Sequence, residues 1–154
     1  MTEANAHPHW DNSERFHIAL NGIVENWTEL RDRLRSQGAE FTSETDAEVV
    51  AHLIASRARE LAARASTPSS PDGDLVEAVR LAYNDLRGHY AFVAISADEP
   101  EVLVGARKEC PLVVGLGDGE SFIASAIPAF IAETRNVQLV HDGEIVALLS
   151  LIHI

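Results

Sequence analysis

The order of apolar and polar positions divides the 154-residue chain into a helical first half and a strand-like second half. Residues 1 to 15 are polar and turn-rich. Arg15-Phe16-His17-Ile18-Ala19-Leu20 alternates loosely and predicts a strand running into a turn at Asn21-Gly22. Trp27, Leu30 and Leu34 then recur at helical spacing, with Asn26 as N-cap, Glu29 closing a capping box, and Gly38 as the stop. A second apolar stripe (Val49, Val50, Leu53, Ile54, Leu61) predicts a helix from near Thr45 to about Ala65, with Glu48 at its third position. Ser66-Thr67-Pro68-Ser69-Ser70-Pro71-Asp72-Gly73 breaks the periodicity and reads as an exposed loop. Asp74 caps a third helix with Glu77 at N3; its buried face is Leu75, Ala78, Val79, Ala82 and Leu86, and Gly88 ends it.

After Gly88 the period shortens to that of strands. Tyr90 to Ala97, Glu101 to Ala106, Leu112 to Leu116, Ser121 to Ser125, Val137 to His141 and Glu144 to Leu149 are short runs rich in Val, Ile and Phe. Asp-Glu-Pro, Gly-Asp-Gly and Asp-Gly turn signals separate them. Ile127 to Glu133 predicts a short helix between two of these runs. Helices early and antiparallel strands late predict an α+β domain built in layers.

Length and charge narrow the function. A chain of 154 residues suits one domain with one core. A net charge of −12 argues against a nucleic-acid backbone as partner, which requires a basic face, and likewise against an anionic membrane surface. No apolar run is long enough to span a bilayer, and Met1-Thr2-Glu3-Ala4-Asn5 has no signal-peptide character. The single cysteine, Cys110, permits no internal disulfide, so a reducing, cytoplasmic setting is expected.

Read alone, the chemistry-bearing residues have plain structural explanations. Asn21-Gly22 between apolar runs is a hairpin turn. Asp46 is a first-turn carboxylate beside a helix N-terminus. His7 and His9 flank Pro8, but with His17 and His52 they form no zinc-site spacing, so no metal and no cofactor are expected. Gly115-Leu116-Gly117-Asp118-Gly119 lacks the Lys-Ser/Thr of a phosphate cradle and predicts a hairpin turn. Cys110, beside Pro111 at the start of an apolar run, reads as a partly buried, inert thiol.

Three blocks in order change that picture: Ala4-Asn5-Ala6-His7-Pro8-His9, Leu20-Asn21-Gly22-Ile23-Val24-Glu25-Asn26-Trp27, and Ser43-Glu44-Thr45-Asp46-Ala47-Glu48-Val49-Val50-Ala51-His52-Leu53. Together they resemble the glutaminase domain of the glucosamine-6-phosphate synthase family. These are class II glutamine amidotransferases, a branch of the N-terminal-nucleophile hydrolases. The resemblance spans roughly residues 2 to 148, so a partial domain over 1–149 with an unmatched tail, 150–154, is expected. It implies an incomplete αββα sandwich. It further implies hydrolysis of L-glutamine, no cofactor, and ammonia passed to a downstream sugar-isomerase domain that makes glucosamine-6-phosphate from fructose-6-phosphate. A homodimeric full-length enzyme is implied as well.

Carried over residue by residue, the resemblance makes the Asn21 side-chain amide and the Gly22 N–H an oxyanion hole. Asp46 becomes the ligand of the glutamine α-ammonium, and His7 a residue beside the glutamine pocket. The family's nucleophile is an N-terminal cysteine whose own amine serves as base. This chain opens further into the domain, so 154 residues alone are expected to be inactive and to leave strand edges and apolar faces uncovered. Leu20 stands where many members have His, and Ala126 where many have Asp. Two alternatives compete. One is a non-catalytic binding module that keeps part of the fold, against which the intact Asn21-Gly22 and Asp46 speak. The other is a class II amidotransferase with a different acceptor, against which Asn5 to His9 speak.

Overall fold

The computed structural model describes residues 3–64 and 74–149. The expected loop over 66–73 and the expected tail over 150–154 lie outside the described residues. Among the described residues, eight strands form two antiparallel sheets, and three α-helices cover one face of the larger. The strands are β1 (His9–Trp10), β2 (Phe16–Val24), β3 (Gly88–Ser96), β4 (Glu99–Lys108), β5 (Val113–Leu116), β6 (Ser121–Ala124), β7 (Val137–Leu139) and β8 (Ile145–Leu149). The helices are α1 (Trp27–Ser36), α2 (Asp46–Arg64) and α3 (Leu75–Asp85). The five-stranded sheet has the order β1-β2-β3-β4-β8 and the three-stranded sheet the order β6-β5-β7. The result is α+β, as the sequence pattern predicts. Among the described residues it has one helical layer and two sheets. No helix among them is long and apolar enough to cross a membrane.

The helical face follows from alternation. Phe16, Ile18, Leu20 and Val24 of β2 and Tyr90, Phe92 and Ala94 of β3 point the same way and are buried against the helices. The N-terminal half of α2 is buried all round, from Ala47 to Ala55. Ala47, Ala51, Ala55 and Ala58 recur along it and let its neighbours approach closely. The opposite face of the large sheet meets the small one through Ala91, Leu112, Val114 and Val140. The sheets are so close at β4 that a Cβ on Gly105 would lie 2.3 Å from Ile123 Cδ1.

The helix boundaries agree with the sequence reading, but the capping differs at α1, and Glu48 of α2 reaches past its cap. α3 is capped as expected: Glu77 N–H donates to Asp74 Oδ1 at 3.1 Å. α1 closes at Gly38, where Gly38 N–H donates to Arg35 O and Ala39 N–H to Leu34 O. Asn26, however, makes no side-chain cap. Its amide donates to Asp85 O at 2.8 Å and its Oδ1 accepts from Arg87 N–H at 2.9 Å, tying the start of α1 to the end of α3. Tertiary contacts offered Asn26 better partners than its own helix did.

Three further expectations change. The predicted turn at Asn21-Gly22 is absent. β2 runs straight through it, with Asn21 opposite Ala91 and Gly22 opposite Tyr90. A strand, His9–Trp10, forms in the stretch read as irregular, pairing His9 with Ile18 and Trp10 with His17. The helix expected over Ile127 to Glu133 shrinks to a 3-10 turn, Ile127–Ala129, with Pro128 inside it.

Candidate active site

The site is built where β2 leaves the sheet and α2 begins. Gly22 has φ +106°, in the left-handed region that favours glycine. An added Cβ there would fall 2.3 Å from His89 O and 2.8 Å from Tyr90 Cα, so the position has room for glycine only. A strand that carries Asn-Gly without turning therefore needs this glycine for conformation and for space.

Asn21 projects onto the face of the large sheet away from the helices, opposite Ala91. It is exposed and makes no side-chain hydrogen bond among the described residues. It lines a cleft of about 200 Å³ with Ala19, Val93, Leu112, Ile123, Ala124 and Ser125. Its amide is thus an available donor at the margin of the inter-sheet cleft. A larger groove of about 610 Å³ lies away from it, between the β3–β4 end of the sandwich and the β5–β6 turn. That groove presents Glu101, Glu120 and Ser121 with apolar side chains, and none of the converging groups described below. Asn21 lines the smaller cleft, whereas Asp46 and His7 line neither.

Asp46 is the first residue of α2 and is half-buried. Val24 N–H donates to its Oδ2 at 2.7 Å. That bond fastens the helix N-terminus to the end of β2, two residues beyond Gly22. Asp46 and Asn21-Gly22 thus belong to one strand–helix junction. The Val24 bond engages Oδ2, and among the described residues Oδ1 accepts no hydrogen bond.

His7 is exposed, next to a cis His7–Pro8 peptide, and its ring meets that of His9 edge-on at 5.2 Å. His9 is the buried member of the pair. Its Nε2 lies 3.2 Å from Thr45 Oγ1, the hydroxyl immediately before Asp46. Burial pushes the His9 imidazole below its ordinary pKa, helped by His7 and opposed by Glu48 and Asp46. The N-terminal segment is joined to the same loop again where Glu44 N–H donates to Asn5 Oδ1 at 3.2 Å.

Sequence reasoning singled out His7 and passed over three residues that organise this corner. Glu48 is buried and accepts four hydrogen bonds from Thr42 and Ser43. Burial alone would raise its carboxyl; those bonds outweigh burial and hold it below the usual carboxylate range. Asp11 is buried and accepts from the N–H groups of Ser13, Arg15 and Phe16 and the Ser13 hydroxyl, shaping the turn that joins β1 to β2. His9 completes the set. The signal for Glu48 was present, as the third residue of a predicted helix, but the pattern could not show that it reaches past the cap.

Cys110 touches this region from behind: its Sγ would lie 3.0 Å from a Cβ on Gly22. It is half-buried and packs beside Ala91 and Leu112 in the inter-sheet core, in keeping with a structural thiol. Among the described residues no group of three or more His, Cys, Asp or Glu side chains is placed to hold a metal ion.

Comparison with known proteins identifies the family. The glutamine amidotransferase domain family matches residues 1–132. The glutamine–fructose-6-phosphate aminotransferase [isomerizing] of Aquifex aeolicus is 44% identical over 147 residues, 96% of this chain and 23% of that protein. Its counterpart from Streptomyces coelicolor is 48% identical over 147 residues, 96% of this chain and 22% of that protein. The chain thus spans between a fifth and a quarter of the length of these relatives. A solved structure described as the allosteric regulatory enzyme of purine biosynthesis superposes with a TM-score of 0.72 at 25% identity, covering 95% of this chain and 30% of that one. The family match over residues 1–132 and the shared fold place the chain in the glutamine amidotransferase domain family.

Proposed function

We propose that these residues form part of the glutaminase domain of a glutamine–fructose-6-phosphate aminotransferase. In this reading the substrate is L-glutamine. The Asn21 amide and Gly22 N–H stabilise the oxyanion formed when the γ-amide is attacked, and Asp46 binds the α-ammonium by a charge-assisted bond. In this reading His7 stands beside the glutamine pocket, its ring edge-on to that of the buried His9. The observation that carries the reading is the junction itself. An unpartnered Asn amide stands beside a glycine-only strand position, and Val24, two residues beyond that glycine, donates its N–H to a helix-N-terminal carboxylate. The identity of 44–48% to aminotransferases favours that acceptor over the one of the purine enzyme, which is 25% identical.

None of the described residues is assigned the attack on the amide; Cys110 is packed in the core behind Gly22. The wider parts of the reading are an ammonia-accepting sugar-isomerase domain, a homodimer, a domain boundary near residue 149 and a cytoplasmic location. The relatives' names support the acceptor, and the single cysteine suits a reducing compartment. The test is glutamate release from L-glutamine by the protein as its gene encodes it. Asn21→Ala should lower kcat by roughly 10²–10³-fold, the usual loss for one oxyanion donor. Turnover that is insensitive to Asn21→Ala would overturn the assignment.

A further inference from the structure

Glu48 holds more of the loop before α2 than helix capping requires. A Glu at the third helical position ordinarily reaches back to the N-cap N–H. Here the Thr45 hydroxyl accepts from Glu48 N–H at 3.3 Å, and Thr45 N–H donates to Ser43 Oγ at 3.3 Å. The Glu48 carboxylate reaches further. Its Oε1 accepts the Thr42 N–H at 2.7 Å and the Thr42 hydroxyl at 2.9 Å. Its Oε2 accepts the Ser43 N–H at 2.8 Å and the Ser43 hydroxyl at 2.6 Å. An ionised carboxylate only accepts, and here it faces only donors.

From Ser43 the contacts continue toward the site. Ser43 Oγ lies 2.9 Å from Thr45 Oγ1, and Thr45 Oγ1 lies 3.2 Å from His9 Nε2. Asp46 follows Thr45 directly and grips Val24 N–H. Behind Glu48, one helical turn on, the buried His52 places Nε2 4.0 Å from Glu48 Oε1 and packs at a tilt against Phe41, with ring centroids 4.5 Å apart. Glu48 is thus enclosed by α2 itself, the 41–45 segment and β1.

We propose that Glu48 is a positioning residue: by holding Thr42 and Ser43 it locks the loop onto α2. Through Thr45 it sets His9 and Asp46 where the ammonium group of an amino-acid substrate is bound. This rests on the reading of Asp46 given above. Glu48 touches no substrate in it and acts through Asp46.

Glu48→Gln tests the idea because it keeps the volume and one accepting oxygen. The new amide must turn its NH2 toward the N–H of either Thr42 or Ser43, and a backbone donor cannot rotate away. In the protein as its gene encodes it, Glu48→Gln should raise KM for L-glutamine about tenfold and leave kcat within about threefold. Where turnover is absent, the Kd for L-glutamine by calorimetry should rise by the same factor. Asp46→Asn is the companion variant. If Asp46→Asn weakens glutamine and Glu48→Gln does not, the positioning role is wrong and the reading of Asp46 stands. If Asp46→Asn leaves glutamine untouched, both fall. Should Glu48→Gln fail to fold, Ser43→Ala removes only the hydroxyl link and should raise KM roughly threefold with kcat unchanged. An unchanged KM there would overturn the proposal.

Discussion

The two faces of the five-stranded sheet are made from the same strands and could hardly differ more. On the helical face, Ile18, Val24, Tyr90, Phe92 and Val104 are 0–1% exposed, packed under α2 and its neighbours. On the other face, the three-stranded sheet covers only the β3–β4–β8 side, and Trp10, Ile23 and Ile95 are 43%, 52% and 46% exposed. Asn21 sits at the boundary between the covered and uncovered parts. The comparison separates what folds the chain from what it does. Stability is concentrated under the helices, while the candidate oxyanion donor Asn21 is held at the margin of the second face. There the backbone can be reached by a ligand, and side chains are not committed to a core.

The largest effect should come from the helical face. Phe92→Ala empties a fully packed position and should cost roughly 3–5 kcal/mol, measured by urea unfolding. A cost below about 1 kcal/mol would mean that the core does not concentrate there. Gly22→Ala comes next, because it meets two obstacles at once, a positive φ and His89 O at 2.3 Å. The conformational part alone is of order 1–3 kcal/mol, before β2 shifts away from β3. This variant joins the two faces: it should lose stability and, on the proposed reading, glutamine turnover together. A Gly22→Ala protein as stable as wild type would show that the strand can relax without loss.

Asp11 gives a smaller effect with a pH signature. Burial alone would raise its carboxyl; hydrogen bonds from the Ser13 hydroxyl and the Phe16, Ser13 and Arg15 N–H groups prevail and hold it low. A carboxyl whose folded pKa is depressed stabilises the fold above its unfolded pKa and loses that contribution as pH falls through the folded value. Asp11→Asn should therefore cost about 1–3 kcal/mol at pH 7, and the gap from wild type should narrow below about pH 4. Unfolding curves at both pH values check it; a gap that widens in acid would reverse the sign.

How much of this was legible in the sequence depended on whether a signal was local. Helical stripes such as Val49, Leu53 and Ile54 and the alternation of β3 were readable because burial follows the period of each element. The Asp118-Gly119 turn was readable for the same reason, since the residues that make it are adjacent. Asn21-Gly22 was misread as a turn because a left-handed glycine looks the same in a turn and in a strand. Only β3 alongside, with His89 and Tyr90 packed against Gly22, decides between them. Asn26 was misread as a side-chain cap because Asp85 and Arg87, its actual partners, lie far along the chain. At the site, the resemblance supplied Asn21, Gly22 and Asp46 as candidates. It gave no hint that His9 would be buried where His7 is exposed, which follows from the pairing of His9 with Ile18 on the helical face.

The smallest effect probes the comparison from its weak side. Ile95 belongs to the same strand as Phe92, three residues on, and points to the opposite face, opposite His17. Threonine keeps the β-branch that suits a strand and gives up apolar surface that is already half in water. If the face is exposed in solution, Ile95→Thr should change unfolding free energy by no more than about 0.5 kcal/mol. It should also lower self-association, because Trp10, Ile23 and Ile95 present apolar surface that water disfavours. Light scattering over a concentration series reads the second quantity independently of the first. A cost approaching that of Phe92→Ala would mean that Ile95 is buried in the working protein. The asymmetry between the faces would then belong to these residues taken alone, and Asn21 would lie inside an interface instead of at an open margin.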